Sequence, residues 1–277
     1  MNLKLMYITN NPSVALIAEK YGTDWIFVDL ETRGKEERQK GMNTVKSQHT
    51  IADVKAVKDV LTSSGLLVRI NPIYEGTQDE VDAVISNGAD IIMLPMWKSA
   101  ADVRTFLSCV NGRCKTMLLL ETREAYECLD EVLAISGIDS IHIGLNDLHL
   151  SYGQTFMFEP LANGMVEDIC TRIKAAGIPY GFGGIARIGE GTLPAERIVM
   201  EHFRLGSTQV ILSRSFCDVA SCKDVNEVED VFMKNMKKLR GFEASMESTT
   251  DEAYDTNKAE VAKKVAEIVN IIKSKQE

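Results

Sequence analysis

TMLLLETREAYECLDEVLAISGIDSIHIGLND, residues 116–147, reads as one complete strand–helix–strand unit. An almost wholly apolar run, Thr116–Glu121, ends on a carboxylate. A helical segment, Arg123–Ser136, stops at Gly137, and a second β-branched run, Ser140–Asp147, ends on Asn146 and Asp147. A strand that is apolar at consecutive positions is buried on both faces, as a parallel sheet requires. Gly just beyond a helix is its usual C-terminal stop. The same unit recurs on both sides. Runs at Leu3–Thr9, Asp24–Glu31, Leu66–Asn71 and Asp90–Met96 precede it, and runs at Pro179–Gly184 and Gln209–Phe216 follow. Helical segments fill the gaps: Ile51–Ser64 behind the capping box Thr50-x-x-Asp53, then Thr77–Asn87, Met165–Ala176 and Pro194–Leu205, each followed by Gly.

Eight closely spaced strand–helix units, with no dinucleotide fingerprint after the first strand, predict a closed (β/α)8 TIM barrel rather than an open doubly wound sheet. The chain's 277 residues suit one such barrel, which typically needs roughly 250. We assign the barrel to residues 1–242. Residues 243–277 form a polar linker, Glu243–Asn257, and an additional C-terminal helix with Val261, Val265, Ile268, Val269 and Ile272 on one stripe. A stripe beyond a complete barrel could cap the barrel's own bottom or pack on another subunit, and its apolar character favours a subunit contact in a homo-oligomer.

Composition narrows the function. A net charge of −9 argues against a nucleic-acid or anionic-membrane surface. No run approaches the roughly 18 apolar residues of a membrane span. MNLKLMYITNNPS lacks the apolar core and cleavage pattern of a signal peptide. The six cysteines form no CxxC, and neither Cys109/Cys114 nor Cys217/Cys222 has a His-x-His partner. They read as thiols of a reducing cytoplasm.

A barrel of this type carries its active site at the C-terminal ends of the strands. The polar residues there are Asp29 and Glu31 on strand 2, Arg69 and Asn71 on strand 3, Glu121 on strand 5, and Asn146 and Asp147 on strand 6. Strands 5 and 6 are neighbours, so Glu121 and Asp147 reach one point, where two carboxylates repel unless a cation joins them. A divalent ion such as Mg2+ or Mn2+, with Co2+ as an alternative, resolves the repulsion and leaves room for water or substrate oxygens. Arg69 adds a positive fork for an oxyanion. The competing reading is ordinary ion pairing at a barrel rim. GFGGIAR, Gly181–Arg187, lies where many barrels bind an anion, so Gly183, Gly184 and Arg187 are substrate-binding candidates; close packing is the alternative use of those glycines. The long loop Thr32–His49 carries Arg33, Lys35, Arg38, Lys40 and Lys46, diluted by Glu36 and Glu37.

YGTDWIFVDLE, LLVRIN, NGADIIMLPM, LLLET and IDSIHIGLNDLHLSYG, in this order and each at a strand, resemble the HpcH/HpaI aldolase/citrate lyase family. That resemblance implies a metal-dependent (β/α)8 lyase acting on a 2-oxo acid or an acyl-CoA thioester. It makes Glu121 and Asp147 the metal ligands, Arg69 the residue that stabilises the enolate, and Glu31 an acid close to the metal and its waters. It gives the backbone N–H groups at Gly144 and Asn146 to the substrate carboxylate. Two positions depart from the pattern. The histidine base of the pyruvate aldolases is Thr32 here, and its acidic partner is Ser86. A proton carrier must then come from elsewhere. His49, just before the capping box, and His149, two residues beyond Asp147, are the candidates, with metal-bound water or the carboxylate of Glu31 as the alternative. The functional expectation is a cytoplasmic carbon–carbon lyase or aldolase that works through a pyruvate-type enolate. A citrate lyase-like thioester lyase, or a binding barrel without turnover, is the rival.

Overall fold

The computed structural model describes residues 2–34 and 49–275. Eight parallel strands close in sequence order: β1 (Lys4–Ile8), β2 (Trp25–Asp29), β3 (Gly65–Arg69), β4 (Ile91–Leu94), β5 (Lys115–Leu120), β6 (Ser140–Ile143), β7 (Tyr180–Ile185) and β8 (Gln209–Leu212), with β8 pairing back to β1. The expected barrel is therefore present. Helices α1 (Pro12–Lys20), α2 (Ile51–Lys58), α3 (Thr77–Ser86), α4 (Ala100–Val110), α5 (Arg123–Glu127), α6 (Leu129–Leu133), α7 (Leu145–Ser151), α8 (Glu159–Ala162), α9 (Met165–Ala175) and α10 (Ala195–Leu205) surround it, followed by α11 (Val225–Ser245) and α12 (Asp251–Ser274).

Strand alternation divides the core in two. Met6, Phe27, Leu67, Ile91, Met93, Met117 and Leu119 fill the barrel interior. Residues of the opposite parity, such as Ile26, Val68, Ile92 and Leu118, join the larger layer beneath the helices. At the N-terminal end one device recurs. In the Gly-x-Asp triplets ending at Asp24, Asp90 and Asp139, the carboxylate accepts the N–H of the second residue of the preceding strand. The acceptors hold Leu5 (2.8 Å), Leu66 (2.7 Å) and Thr116 (2.8 Å). Before β8 the corresponding residue is Thr208, whose hydroxyl donates to the Tyr180 carbonyl at 3.2 Å.

Several boundaries differ from the sequence reading: the helix expected over Ile51–Ser64 ends at Lys58, and the run Gln209–Phe216 is strand only to Leu212. The run Ser140–Asp147 is strand only to Ile143; Leu145 already begins α7, so Asp147 stands in the first turn of a helix. The segment Arg123–Ser136 is two short helices broken at Cys128. The polar stretch Glu243–Asn257 is not a linker throughout. α11 runs to Ser245, a 3-10 turn covers Met246–Ser248, and Thr250 caps α12. α12 then lies on α8 and α10 of its own barrel. Val261 and Val265 of the apolar stripe are buried there, while Ile268, Val269 and Ile272 stay partly exposed. Polar anchoring makes up the rest. Asn257 is fully buried, with its amide donating to Glu201 (2.8 Å) and to the Arg197 carbonyl (3.1 Å).

Candidate active site

Parity that sends Phe27 and Leu67 inward sends Asp29 and Arg69 inward one layer higher, directly paired across β2 and β3. Arg69 binds Asp29 through two parallel bonds, Nε–Oδ1 and Nη2–Oδ2, both 2.8 Å. Its Nη2 also lies 3.4 Å from Glu31 Oε2. Burial alone would lower the guanidinium pKa, but the charges of Asp29 and Glu31 overcome it and hold the cation above its ordinary range. Planar bidentate geometry fixes the head group as well as charging it.

On the opposite wall, Met117 and Leu119 point inward, and Glu121 continues that parity just past β5. Its carboxyl is buried. Met96, held in the left-handed region at φ 52°, donates its N–H to Glu121 Oε1 at 3.1 Å. A non-glycine residue in that conformation costs of order 1–3 kcal/mol, a strain found where backbone geometry serves a site. Gly144 lets Glu121 come close: a Cβ there would stand 2.8 Å from Glu121 Oε2 and 2.9 Å from its Cβ. Burial pushes the Glu121 carboxyl well above the usual carboxylate range, and the nearby Asp147 charge pushes it further.

These groups open on a cavity of about 240 Å3, lined by Asp29, Arg69, Glu121, His142, Asn146 and Asp147 together with the backbone of Gly144, Gly183 and Gly184. The structure therefore brings together Arg69, Glu121, Asp147, Gly144, Asn146, Gly183 and Gly184 of the sequence candidates, with Glu31 touching Arg69. The Gly144 N–H, expected to face a substrate carboxylate, instead donates to the Leu120 carbonyl at 2.9 Å in the sheet. That of Asn146 lies in the first turn of α7, where a helix supplies no acceptor.

The other candidates are placed differently. His149 is buried with Nδ1 3.2 Å from the Leu145 carbonyl of its own helix, away from the cavity wall. His49 Nδ1 accepts the Asp29 N–H at 3.0 Å, so the neutral ring carries its proton on Nε2 and braces β2 beside Arg69. Arg187 is ion-paired to Glu190 at 2.7 Å. Gly183 turns at φ +54° against Leu145. Thr32 donates its N–H and hydroxyl to Asn71 Oδ1 at 3.0 and 3.3 Å, and Arg33 stacks over Tyr74. Ser86 is exposed at the end of α3, before β4 begins, at the barrel's N-terminal end. Lys35, Arg38, Lys40 and Lys46 lie outside the described residues.

Sequence reading missed three contributors. Asp29 was seen as a strand end but not as the clamp on Arg69, although period-2 parity with Phe27 and the facing Leu67–Arg69 pair would have shown it. His142 shares parity with Ser140 and Gly144 and points into the barrel, its Nε2 3.0 Å from the Gly183 carbonyl. Burial lowers its pKa to about 4. Met96 carries no local signal, because its role is a backbone N–H.

No group of three or more His, Cys, Asp or Glu suited to a metal occurs among the described residues. The two-carboxylate pair still fits a hard divalent ion, which is commonly held by one or two carboxylates plus substrate and water oxygens. A cation there would offset the repulsion from Asp147 and Glu31 that, with burial, raises the Glu121 carboxyl.

Closed parallel strands with buried carboxylates and an arginine at their C-terminal ends define a (β/α)8-barrel protein. The HpcH/HpaI aldolase/citrate lyase family profile matches residues 4–180, and the chain belongs to that family. It is 24% identical over 204 residues to the 2-keto-3-deoxy-L-rhamnonate aldolases of Escherichia coli K12 and Shigella sonnei, covering 62% of this chain and 71% of theirs. Among solved structures, an HpcH/HpaI aldolase from Desulfitobacterium hafniense DCB-2 superposes with a TM-score of 0.59 at 17% identity, covering 90% of this chain and 95% of that one. A family protein from Burkholderia cenocepacia J2315 gives 0.57 at 15%, covering 76% and 88%.

Proposed function

We propose that the chain is a carbon–carbon lyase of the aldolase type, which cleaves or forms a 4-hydroxy-2-oxo acid through the enolate of pyruvate. The observation that carries this reading is the buried Glu121 carboxyl set against Asp147 and facing Arg69 across a cavity sized for a small acid. Glu121 and Asp147 would hold a divalent ion, Mg2+ or Mn2+, which when bound supplies Lewis-acid polarisation of the 2-oxo oxygen. Arg69, fixed by Asp29, stabilises the negative charge that gathers on that oxygen as the C3–C4 bond breaks and its electron pair moves onto C3. The Asn146 N–H orients the 1-carboxylate. The C4 hydroxyl proton leaves to a base as the aldehyde forms, and protonation of C3 then completes pyruvate, so atoms and charge balance. We assign the base to Glu31, in contact with Arg69 at 3.4 Å. His49 would have to give up the Asp29 N–H before accepting a proton. Similarity to 2-keto-3-deoxy-L-rhamnonate aldolases supports a 2-oxo acid substrate.

Assembly as a homo-oligomer is part of the same reading, its contact now reduced to the distal end of α12, where Ile271 is 54% exposed. No helix among the described residues is long and apolar enough to cross a membrane. The test is pyruvate release from oxaloacetate and from 4-hydroxy-2-oxo acids with Mn2+ or Mg2+. Turnover that Glu31→Gln removes and His49→Ala spares is the expected result. Full activity in Glu31→Gln with loss in His49→Ala would reassign the base, and no turnover in the wild type with either ion would overturn the lyase.

A further inference from the structure

His142 enters the barrel from β6, paired with Leu119 on β5 and two residues before Gly144 on the same face. Its ring is fully buried and lines the 240 Å3 cavity. The neighbouring β7 ladder shifts register between Gly181 and Gly184, and the Gly183 carbonyl inside that shift lies 3.0 Å from His142 Nε2. A carbonyl only accepts, so Nε2 carries the proton. In the neutral ring Nδ1 is then left as a bare acceptor. Burial keeps the ring neutral. Nδ1 is itself buried and has no hydrogen-bond partner among the described residues.

The other histidines are used differently. Nδ1 of His49 accepts the Asp29 N–H, and Nδ1 of His149 meets the Leu145 carbonyl. His202 also leaves its Nε2 without a partner, but its ring stacks on Phe182 in the layer beneath the helices. His142 alone of the four lines the cavity that holds Arg69, Glu121 and Asp147. A buried acceptor without a donor costs stability, and a ligand that brings the donor recovers it.

The chemistry of that donor is narrow. A carboxylate and a 2-oxo oxygen only accept, so pyruvate has nothing to offer Nδ1. An ammonium is disfavoured, because the Arg69 charge already reaches this ring and opposes a second cation beside it. A neutral hydroxyl remains. The C4 hydroxyl of the substrate gives its proton to Glu31, which follows β2 on the far side of the barrel from β6. The hydroxyl that His142 can read therefore belongs to the half that stays behind as the enolate.

We propose that His142 is a specificity residue whose Nδ1 accepts a hydrogen bond from a hydroxyl on C3 of the 2-oxo acid, so that the site takes a C3-hydroxylated acid ahead of pyruvate itself. The inference rests on the lyase reading for the identity of the acid, and on the His142 ring for the acceptor. The enolate is still that of a pyruvate unit, now with a hydroxyl on C3. That hydroxyl keeps its proton throughout, and His142 transfers none.

Two measurements test this on the full chain with Mg2+ present. Calorimetry compares 3-hydroxypyruvate with pyruvate in the wild type and in His142→Phe. The wild type should bind the hydroxylated acid about tenfold more tightly, the scale of one hydrogen bond to a buried acceptor, and His142→Phe should bind the two alike. A purely structural defect would weaken both acids together and leave their ratio unmoved. In 15N spectra of histidine-labelled wild type, the His142 Nδ1 resonance should shift when 3-hydroxypyruvate binds and stay in place when pyruvate binds. It is assigned by its loss in His142→Phe or, should that variant not fold, in His142→Gln. Equal affinities in the wild type, a ratio that survives His142→Phe, or an Nδ1 resonance unmoved by bound 3-hydroxypyruvate each overturn the assignment while the lyase reading stands. Binding of neither acid to the wild type overturns the 2-oxo acid reading itself, and the role of His142 with it.

Discussion

At the N-terminal end of the barrel Asp24, Asp90 and Asp139 each accept a strand N–H, and Asp90 also binds Lys58 at 2.7 Å. At the C-terminal end Glu121 is buried against a second carboxylate, and the Met96 N–H is its hydrogen-bond donor among the described residues. The residue type is the same and the consequences are opposite. A carboxylate supplied with donors at a half-exposed edge holds strands in register, each bond contributing about 1 kcal/mol. A carboxylate buried beside its like lowers stability and gains an affinity for cations. Strain at Met96 and the absent side chain at Gly144 belong to that second end.

The comparison breaks most sharply at Glu121. Glu121→Gln should lower lyase turnover by at least about a thousandfold, the scale for losing a group that stabilises transition-state charge, and should abolish Mn2+ binding by calorimetry. The same variant should be more heat-stable than the metal-free wild type at pH 8. Because the folded Glu121 pKa lies above its unfolded value, the native state holds the extra proton. Stability from this group is present below the unfolded pKa and is lost as pH rises through the folded one. Equal melting temperatures at pH 8 would show that Glu121 carries no such burden.

Acid should act on the barrel interior in the reverse sense. The folded pKa of His142 is about 4, depressed by burial from an ordinary 6.5, and His202, stacked on Phe182, is depressed in the same direction. Between about pH 6.5 and 4 the unfolded chain takes up protons that the native state refuses, so stability falls as pH falls. The loss from His142 is roughly 3 kcal/mol across that window. Denaturant melts at pH 7 and 4.5 measure it, and His142→Phe should flatten the difference.

Gly144→Ala places a methyl group against Glu121, and an overpacked site costs about 1–3 kcal/mol. We expect turnover to fall about a hundredfold as the carboxyl is displaced, with a melting shift that reflects the overpacking cost. A variant with native kinetics would mean that Glu121 does not need its observed position. The smallest effect should come from the other end of the barrel. Asp139→Ala leaves the Thr116 N–H without its acceptor and should cost about 1–2 kcal/mol, read in urea melts, with kcat/KM unaltered. Loss of turnover there would erase the functional distinction between the ends.

Most of the barrel was readable because its signals are local. Apolar runs at Met117–Leu120 and Ile91–Leu94, glycine stops after the helices and the Thr50 capping box are short-range chemistry that tertiary contacts reinforced. Glu121, Arg69 and Asp147 were found because strand ends in a parallel barrel converge on one face. Asp147 was misplaced from strand to helix because β-branched character fades gradually while a hydrogen-bond ladder stops abruptly after Ile143. His149 could not be excluded from sequence, since the side on which a buried histidine lies depends on a helix phase that begins only at Leu145.

The amino-acid order by itself determined the number of strand–helix units, their closure into a barrel, and which carboxylates and arginine stand at its upper rim, because each follows from periodicity and chain order. Only the tertiary structure decided that Asp29 clamps Arg69, that Met96 bends its backbone to reach Glu121, that Gly144 makes room for that carboxyl, and that α12 lies on its own barrel. Those outcomes depend on distances between residues far apart in the chain. Such distances come from packing, which local propensity does not encode.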